Sequence, residues 1–444
     1  MPLSNGGGKR DDRLHEDEPD DFRKRAERDR DLILYSPEFR RLAGVTQVVA
    51  AEEGHVFHNR LTHSLEVAQV SRRIAEKLTR EFPQETKDLI DPDVVEAAAL
   101  AHDLGHPPFG HVAETELNKL VTHEAGLLDG FEGNAQSLRI ITKLAQQSYR
   151  PQRGPERKEI GLNLTRATLN ATLKYPWLRA TGGEQQHKWG AYQSEEEELT
   201  WARKMEPPGS TAKSPEAAVM DWADDITYAV HDVTDFYRAG LIPLDKLAPA
   251  KNGVERKRFC EEVFLQIRGK SLNYTEAELE STVESIVRYF PLDERYQGTR
   301  KQRGILQSFA SNLTNRYVSA VQFSHPGGGS ISISRNPELE KEIFMWKQMT
   351  WHYVIRNPAL ATQQFGQRKI IRDLFSIFFD AAKNKQFELI PAEFREQLIL
   401  GEAGMTARII ADLIAGLSER QAVVLHRRLT GVAMGSVLDR VDLN

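Results

Sequence analysis

The chain has 444 residues, 40% hydrophobic and 28% charged, which is enough apolar material for a large core in two or three structural units. Its 59 basic and 64 acidic side chains leave a net charge of -5, which argues against a dominant nucleic-acid field while leaving room for a local basic channel. The single cysteine, Cys260, excludes an intrachain disulfide. There is no signal-peptide pattern and no apolar run near the roughly 20 residues of a membrane span, so a soluble cytoplasmic protein with no membrane partner is expected.

Residues 1–27, rich in Gly, Lys, Arg, Asp and Glu, predict a disordered tail. From Arg28 onward the pattern is helical. Leu61, Leu65, Ala68, Ile74, Ala75 and Leu78 recur at three- and four-residue steps, the period of a one-sided apolar helix. Val94, Val95, Ala98, Ala99 and Leu100 predict a buried helix that Gly105, Pro107 and Pro108 end. Further helices are expected near 112–122, 134–148, 163–174 and 215–239, with a long polar loop over 181–213. Amphipathic helices then continue over 255–268, 275–289, 301–321, 338–355, 368–383 and 405–429. The alternation Ser330-Ile331-Ser332-Ile333-Ser334 is the one plausible strand, half of a small hairpin. The fold class is all-α.

The densest chemistry lies in Ala101-His102-Asp103-Leu104-Gly105-His106-Pro107-Pro108-Phe109-Gly110-His111. A carboxylate beside imidazoles at the end of an apolar helix costs several kcal/mol unless a cation or hydrogen bonds compensate. A lone His-Asp pair is commonly structural, but here it has partners on both sides. Upstream, His63 sits within an apolar-faced helix. Downstream, Asp221, Asp224, Asp225, Tyr228 and Asp232 share a helix on which Asp224, Tyr228 and Asp232 step by four and line one face. Acidic residues there can also simply solvate an outer face. Two imidazoles and two carboxylates make a mixed N/O donor set suited to Mn²⁺, Fe²⁺ or Zn²⁺, with Mg²⁺ a poorer match. His111 and Glu114, three apart at a helix start, allow a carboxylate to hold the imidazole in one tautomer.

Other features are discounted. Gly327-Gly328-Gly329 lacks the following Lys-Ser/Thr of a phosphate-binding loop and reads as a hairpin loop. Glu195–Glu198 reads as a solvated helix start. His55 and His58 match no ligand spacing, which favours surface or supporting roles. Trp346, Trp351 and Tyr353 read as helix packing, and Lys347 as a possible phosphate contact. Arg40-Arg41 and Arg427-Arg428 fit either an oligomer interface or a nucleic-acid patch.

His63, His102-Asp103 and Asp224 resemble the H…HD…D pattern of the HD superfamily. More narrowly, the chain resembles bacterial dGTPase-type deoxynucleoside triphosphate triphosphohydrolases. The likeness runs through Arg28–Asp31, Ser36–Leu42, Thr46–Val48, Asn59–Ala68, Ala101–His111, Phe131–Gln136, Leu173–Trp177, Ala223–Ile226 and Asp412–Leu417. It implies an HD phosphohydrolase domain over 28–245, a C-terminal helical region over 246–444, and hydrolysis of dNTPs, dGTP foremost, to nucleoside and tripolyphosphate. It implies one divalent metal ion, Mn²⁺ first, on His63, His102, Asp103 and Asp224, with Asp225 as the rival of Asp224. His111 and Glu114 become the catalytic pair. Arg40, Gln47, Arg60, His106, Asn134, Tyr228 and Asp232 become substrate contacts: Arg60 and His106 on phosphate, Gln47 and Asp232 near the 3′-hydroxyl, Tyr228 against the sugar, and Asn134 with Gln136 as polar lining. Some relatives carry histidine where Gly133 stands, so a phosphate contact from that imidazole is absent here. The resemblance also implies a homo-oligomer, up to a hexamer, and admits a single-stranded DNA or nucleotide effector. Competing readings are another HD-type nucleotide phosphohydrolase and a non-catalytic nucleotide-sensing scaffold.

Overall fold

Helix starts in this chain are written in capping residues. Asn59 accepts a hydrogen bond from the Thr62 amide at 3.0 Å, Ser214 one from Ala217 at 3.1 Å, and Asp91 one from Asp93 at 2.8 Å. Pro92 and Pro215 occupy the first helical position, where a missing N–H costs nothing. The computed structural model describes residues 9–15, 22–48, 57–145, 160–179, 187–247, 253–268, 274–288, 290–291, 294–324, 332–400 and 405–436.

In chain order the helices are α1 (Arg25–Tyr35), α2 (Pro37–Arg41), α3 (Arg60–Glu81), α4 (Pro83–Thr86), α5 (Pro92–Ala101), α6 (His111–Lys119), α7 (Gly133–Arg139), α8 (Arg166–Thr172), α9 (Glu196–Ala202) and α10 (Pro215–Thr227). They continue as α11 (Val233–Arg238), α12 (Leu244–Leu247), α13 (Val254–Ile267), α14 (Glu276–Arg288), α15 (Arg300–Val318), α16 (Pro337–Thr350), α17 (Pro358–Lys383), α18 (Ala392–Leu400), α19 (Thr406–Ala415) and α20 (Glu419–Leu429). One antiparallel hairpin, β1 (Val321–Ser324) with β2 (Ser332–Arg335), pairs Val321 with Arg335 and Ser324 with Ser332. Among the described residues the fold is all-α apart from this hairpin, as the periodicity implies. The predicted Ser330-Ile331 and the Gly327–Gly329 loop lie outside the described residues, as does His55.

Several expected helices differ in detail. Pi-helical turns extend α6, α7, α10 and α16 at Leu120–Glu124, Ile140–Leu144, Tyr228–Asp232 and Trp351–Ile355. The expected helix over 405–429 is two helices, because Ser418 caps a new start at α20 with its hydroxyl facing the Gln421 amide. The polar stretch expected as loop contains α9, and Glu195 before it is fully buried on Arg139 at 2.7 Å rather than solvated. Residues 9–15, part of the expected tail, are docked. Arg13 meets buried Asp29 at 2.6 Å and Arg10 meets buried Glu216 at 2.6 Å, so paired charge rather than apolar content holds them. The remaining tail residues fall outside the description, except 22–27, which lead into and begin α1.

Two cores position the site. The first joins α3, α5 and α10 through Ile74, Val95 and Trp222 and continues without a break into Tyr317 and Trp346 of α15 and α16. The packing therefore does not divide at residue 245. Each such aliphatic side chain contributes about 1.5–3 kcal/mol on burial. The second core packs Phe109 and Leu117 against Phe375, Phe378, Ile410 and Leu413 of α17 and α19. The seam between the cores is polar: Arg139 of α7 makes a two-nitrogen contact with Asp412 of α19, from Nε at 2.9 Å and Nη2 at 2.8 Å.

Candidate active site

Helix α5 stops at Ala101, and the next four residues form a turn. Gly105 is required in that turn, because a Cβ there would overlap the Gly133 carbonyl and the backbone of Gln136 and Ser137. Gly110, at φ 57°, opens α6 with a backbone that side chains disfavour, and its missing Cβ leaves room for the Arg60 guanidinium. Arg41 of α2 braces the turn, donating to the Leu104 carbonyl at 2.6 Å and the His106 carbonyl at 3.0 Å.

Three elements then converge. His63 Nε2 of α3 lies 2.8 Å from Asp224 Oδ1 of α10. His102 donates Nδ1–H to the Ala99 carbonyl at 2.6 Å, which leaves Nε2 facing Asp103 Oδ1 at 3.4 Å and Asp224 Oδ1 at 3.7 Å. That Nε2 is buried and has no hydrogen-bond partner among the described residues. The ligand atoms of His63, His102 and Asp103 all lie within 4.8 Å of one another. Asp103 Oδ2 accepts from Arg60 Nη1 at 2.7 Å, and Oδ1 lies 3.1 Å from His106 Nδ1. Burial pushes the Asp103 carboxyl up, but Arg60, His102 and His106 together hold it well below the usual range. Asp224 is likewise held well below its usual range, against burial, chiefly by Lys174, whose ammonium contacts Asp224 Oδ2. Burial and the Arg60 charge lower His106 to about 4, so its ring is neutral near pH 7.

Asp224 and Asp225, adjacent in sequence, part company here. Asp224 faces the imidazoles, whereas Asp225 pairs with Lys347 of α16 and is raised by burial. Lys347 is thus engaged with a carboxylate.

Beside this cluster stands the second group. His111 Nδ1 lies 2.6 Å from Glu114 Oε2, and Glu114 Oε1 accepts from Lys188 at 2.8 Å and from the Gly133 amide at 3.2 Å. Despite burial, these partners hold the Glu114 carboxyl well below its usual range. The His111 side chain is 66% exposed, and its ring meets His106 edge-on at 5.3 Å. A Cβ at Gly133 would lie 3.3 Å from the His106 ring, so a side chain at this position would press on that imidazole.

Tyr228 and Asp232 follow on the π-helical turn after α10. Asp232 is buried, one of its oxygens has no partner among the described residues, and burial raises its carboxyl well above the usual range. Burial, Asp232 and Asp224 raise the Tyr228 hydroxyl too. The buried Gln47 Oε1 has no partner among the described residues either. Three predicted contacts are not gathered in. Arg40 lies on the exposed side of α2, since successive helical residues point different ways and Arg41 takes the inward direction. Asn134 is tied to Glu132, which caps α7, and Gln136 donates to Asp412 rather than lining the site. Residues the pattern missed are Lys174, Lys188 and Arg41. Lys174 and Arg41 lie inside family-like stretches and Lys188 does not, but only the fold shows that each reaches a site carboxylate or carbonyl. A cavity of about 1060 Å³ lies elsewhere, between α15, α16 and β1, with Ile305, Phe309, Arg316 and Leu339 in its wall and none of the predicted site residues.

The HD domain matches residues 60–229, and the phosphohydrolase-associated domain matches residues 333–428. A deoxyguanosinetriphosphate triphosphohydrolase-like protein of Streptomyces coelicolor is 35% identical over 91% of this chain and 92% of its own length. One from Corynebacterium efficiens is 32% identical over 95% and 97%. Another, from Mesorhizobium japonicum, is 30% identical over 92% and 94%. HD domains are metal-dependent, and the buried, unpartnered His102 nitrogen facing two carboxylates fits a divalent ion. The chain belongs to the deoxyguanosinetriphosphate triphosphohydrolase-like family of HD-domain phosphohydrolases.

Proposed function

We propose that the protein hydrolyses deoxynucleoside triphosphates, dGTP foremost, at the α-phosphorus, yielding a deoxynucleoside and inorganic tripolyphosphate. The observation that carries this reading is the contact between two chemically different groups. A buried donor set of His63, His102 and Asp103, joined by the part-exposed Asp224, adjoins an exposed imidazole backed by a carboxylate, His111 with Glu114, and the His106 ring stands between them. The relatives' names point to the same substrate class.

In this reaction a water oxygen bonds to the α-phosphorus and the bond from phosphorus to the 5′-oxygen breaks. The nucleoside oxygen leaves with a proton, and tripolyphosphate keeps the water oxygen. His63, His102, Asp103 and Asp224 would hold one divalent ion, Mn²⁺ first. When bound, such an ion polarises a phosphoryl group and lowers the pKa of bound water. His111 moves a proton at its Nε2, either from the water or to the 5′-oxygen, while Glu114 accepts from Nδ1–H and fixes the tautomer. Arg60 and Lys174 bring positive charge to the phosphate side, and neutral His106 offers a hydrogen bond there. The orphaned oxygens of Gln47 and Asp232 supply acceptors for a sugar hydroxyl, and Tyr228 a ring against the sugar. Arg40 has no part in this assignment.

The test is product identification after incubation with Mn²⁺ and dGTP, in parallel with the other dNTPs and GTP. Deoxyguanosine with tripolyphosphate is expected. A nucleoside mono- or diphosphate as first product, or no turnover with any dNTP, contradicts the proposal.

A further inference from the structure

Between α3 and the far end of the helix that carries Asp224 lies a chain of polar side chains that the chemistry above does not use. His58, just before α3, has Nδ1 2.6 Å from Asp235 Oδ2 of α11, and its backbone amide donates to the same oxygen at 3.2 Å. On the other side of the ring, Nε2 lies 3.0 Å from Glu66 Oε1. The second oxygen of Glu66 receives His231 Nδ1 at 2.5 Å. The two imidazoles stack, with centroids 5.8 Å apart and planes 20° from parallel. His231 belongs to the π-helical turn Tyr228–Asp232, and its chain neighbour Asp232 carries the buried oxygen that has no partner.

This arrangement is more than packing. A π-helical turn spaces its residues differently from the α-helix on either side, so something must fix the rotation at which Tyr228 and Asp232 emerge. Here α11 is pinned by Asp235 beyond the turn and the turn itself by His231, and both lines end on His58 and Glu66 beside α3. Glu66 lies three residues after His63, so the same helix face that presents the buried donor histidine also anchors the turn.

We infer that His58 is a positioning residue for the sugar site: by bridging Asp235 and Glu66 it locks the Tyr228–Asp232 turn onto α3 and so aims Asp232 at the 3′-hydroxyl of a deoxynucleotide. This inference rests on the dNTP reading above and names the residue that sets its sugar contact. The bridge does not titrate near neutrality. Burial alone would lower His58, but its bonds to Asp235 and Glu66 raise it to about 10; burial would raise Glu66, but His231 and His58 lower it to about 2. The other charged groups in the nest are Asp232, whose carboxyl burial raises, and Arg238, which donates to Asp235 Oδ1 at 3.2 Å. His58 therefore brings a fixed positive charge among carboxylates as well as a geometric link.

The experiment compares wild type with His58→Gln and, as a second break in the same chain, Glu66→Gln. Each is assayed on a dNTP and on its 2′,3′-dideoxy analogue, with bound metal measured alongside. Wild type should turn over the dNTP with a lower KM than the dideoxy analogue. Both variants should raise KM for the dNTP about tenfold, the size of one lost hydrogen bond. They should leave KM for the dideoxy analogue, kcat and metal content near wild type. Equal losses on both substrates, or a fall in kcat with KM unchanged, overturn the positioning role while wild-type turnover leaves the dNTP reading standing. Absence of wild-type dNTP turnover contradicts the dNTP reading itself, and the inference falls with it.

Discussion

The donor cluster and the His111–Glu114 pair are neighbours built on opposite plans. Arg60, His63, His102 and Asp103 are buried, and their contacts come from three different helices and one turn. His111 has a 66% exposed side chain and one short hydrogen bond. Burial with many contacts fixes donor atoms in place, which suits ion binding, and it makes each member costly to remove. An exposed imidazole on a single carboxylate is cheap to remove for the fold and open to proton exchange. Substitutions at the two groups should therefore separate metal binding and stability from chemistry.

The largest effect is expected at Asp103. Asp103→Ala takes a donor and leaves the buried Arg60 without its carboxylate, so bound metal and activity should both disappear, and the fold should lose about 3–5 kcal/mol. Metal analysis and chemical denaturation check this; full metal content with normal turnover would break the contrast. Next, His111→Ala should keep metal and a wild-type melting curve while kcat falls about 10²- to 10⁴-fold. Turnover near wild type would move the proton-transfer role to another group.

A third prediction concerns pH. Because the His106 pKa in the folded protein is depressed to about 4, the unfolded chain takes up a proton first as pH falls. The neutral ring thus costs the fold nothing above the unfolded value near 6.5 and destabilises it progressively as pH drops toward 4. Metal-free wild type should lose up to about 3 kcal/mol more over that window than His106→Gln does. Parallel denaturation curves for the two proteins from pH 7 to 4 would contradict it. The smallest effect is expected for Glu114→Gln, which keeps an acceptor for His111 but removes the charge. A roughly tenfold fall in kcat with unchanged metal content is expected, the equivalent of about 1.4 kcal/mol. A loss as deep as that of His111→Ala would mean that Glu114 acts on substrate directly.

The same contrast explains what sequence could and could not disclose. The His102–His111 turn was legible because its parts are contiguous, and its glycines and prolines announce the break. The apolar-faced helices were legible from their period, whereas the new start that Ser418 caps inside 405–429 was not. The divergence of Asp224 and Asp225 needed three dimensions, since only the direction of each side chain sends one to His63 and the other to Lys347. The step-by-four reading of Asp224, Tyr228 and Asp232 assumed an α-helix, whereas the last two residues bound a π-helical turn. Lys174 lies in the family-like stretch Leu173–Trp177, but nothing local there shows that its ammonium reaches Asp224. Support from the distant C-terminus was equally hidden. Glu419 of α20 accepts from the Thr46 amide at 2.8 Å and the Phe109 amide at 3.2 Å, tying together the segments beside Gln47 and Gly110. The family-like stretch at Asp412 gains its meaning from Arg139, which no local spacing connects to it.

The central claim is attack at the α-phosphorus by water beside His111. It is tested most directly by turnover of dGTP in isotopically labelled water, with the label located in the products. The account predicts one labelled oxygen in tripolyphosphate and none in deoxyguanosine. Label in the deoxyguanosine hydroxyl, or release of pyrophosphate or orthophosphate as the first product, would contradict it.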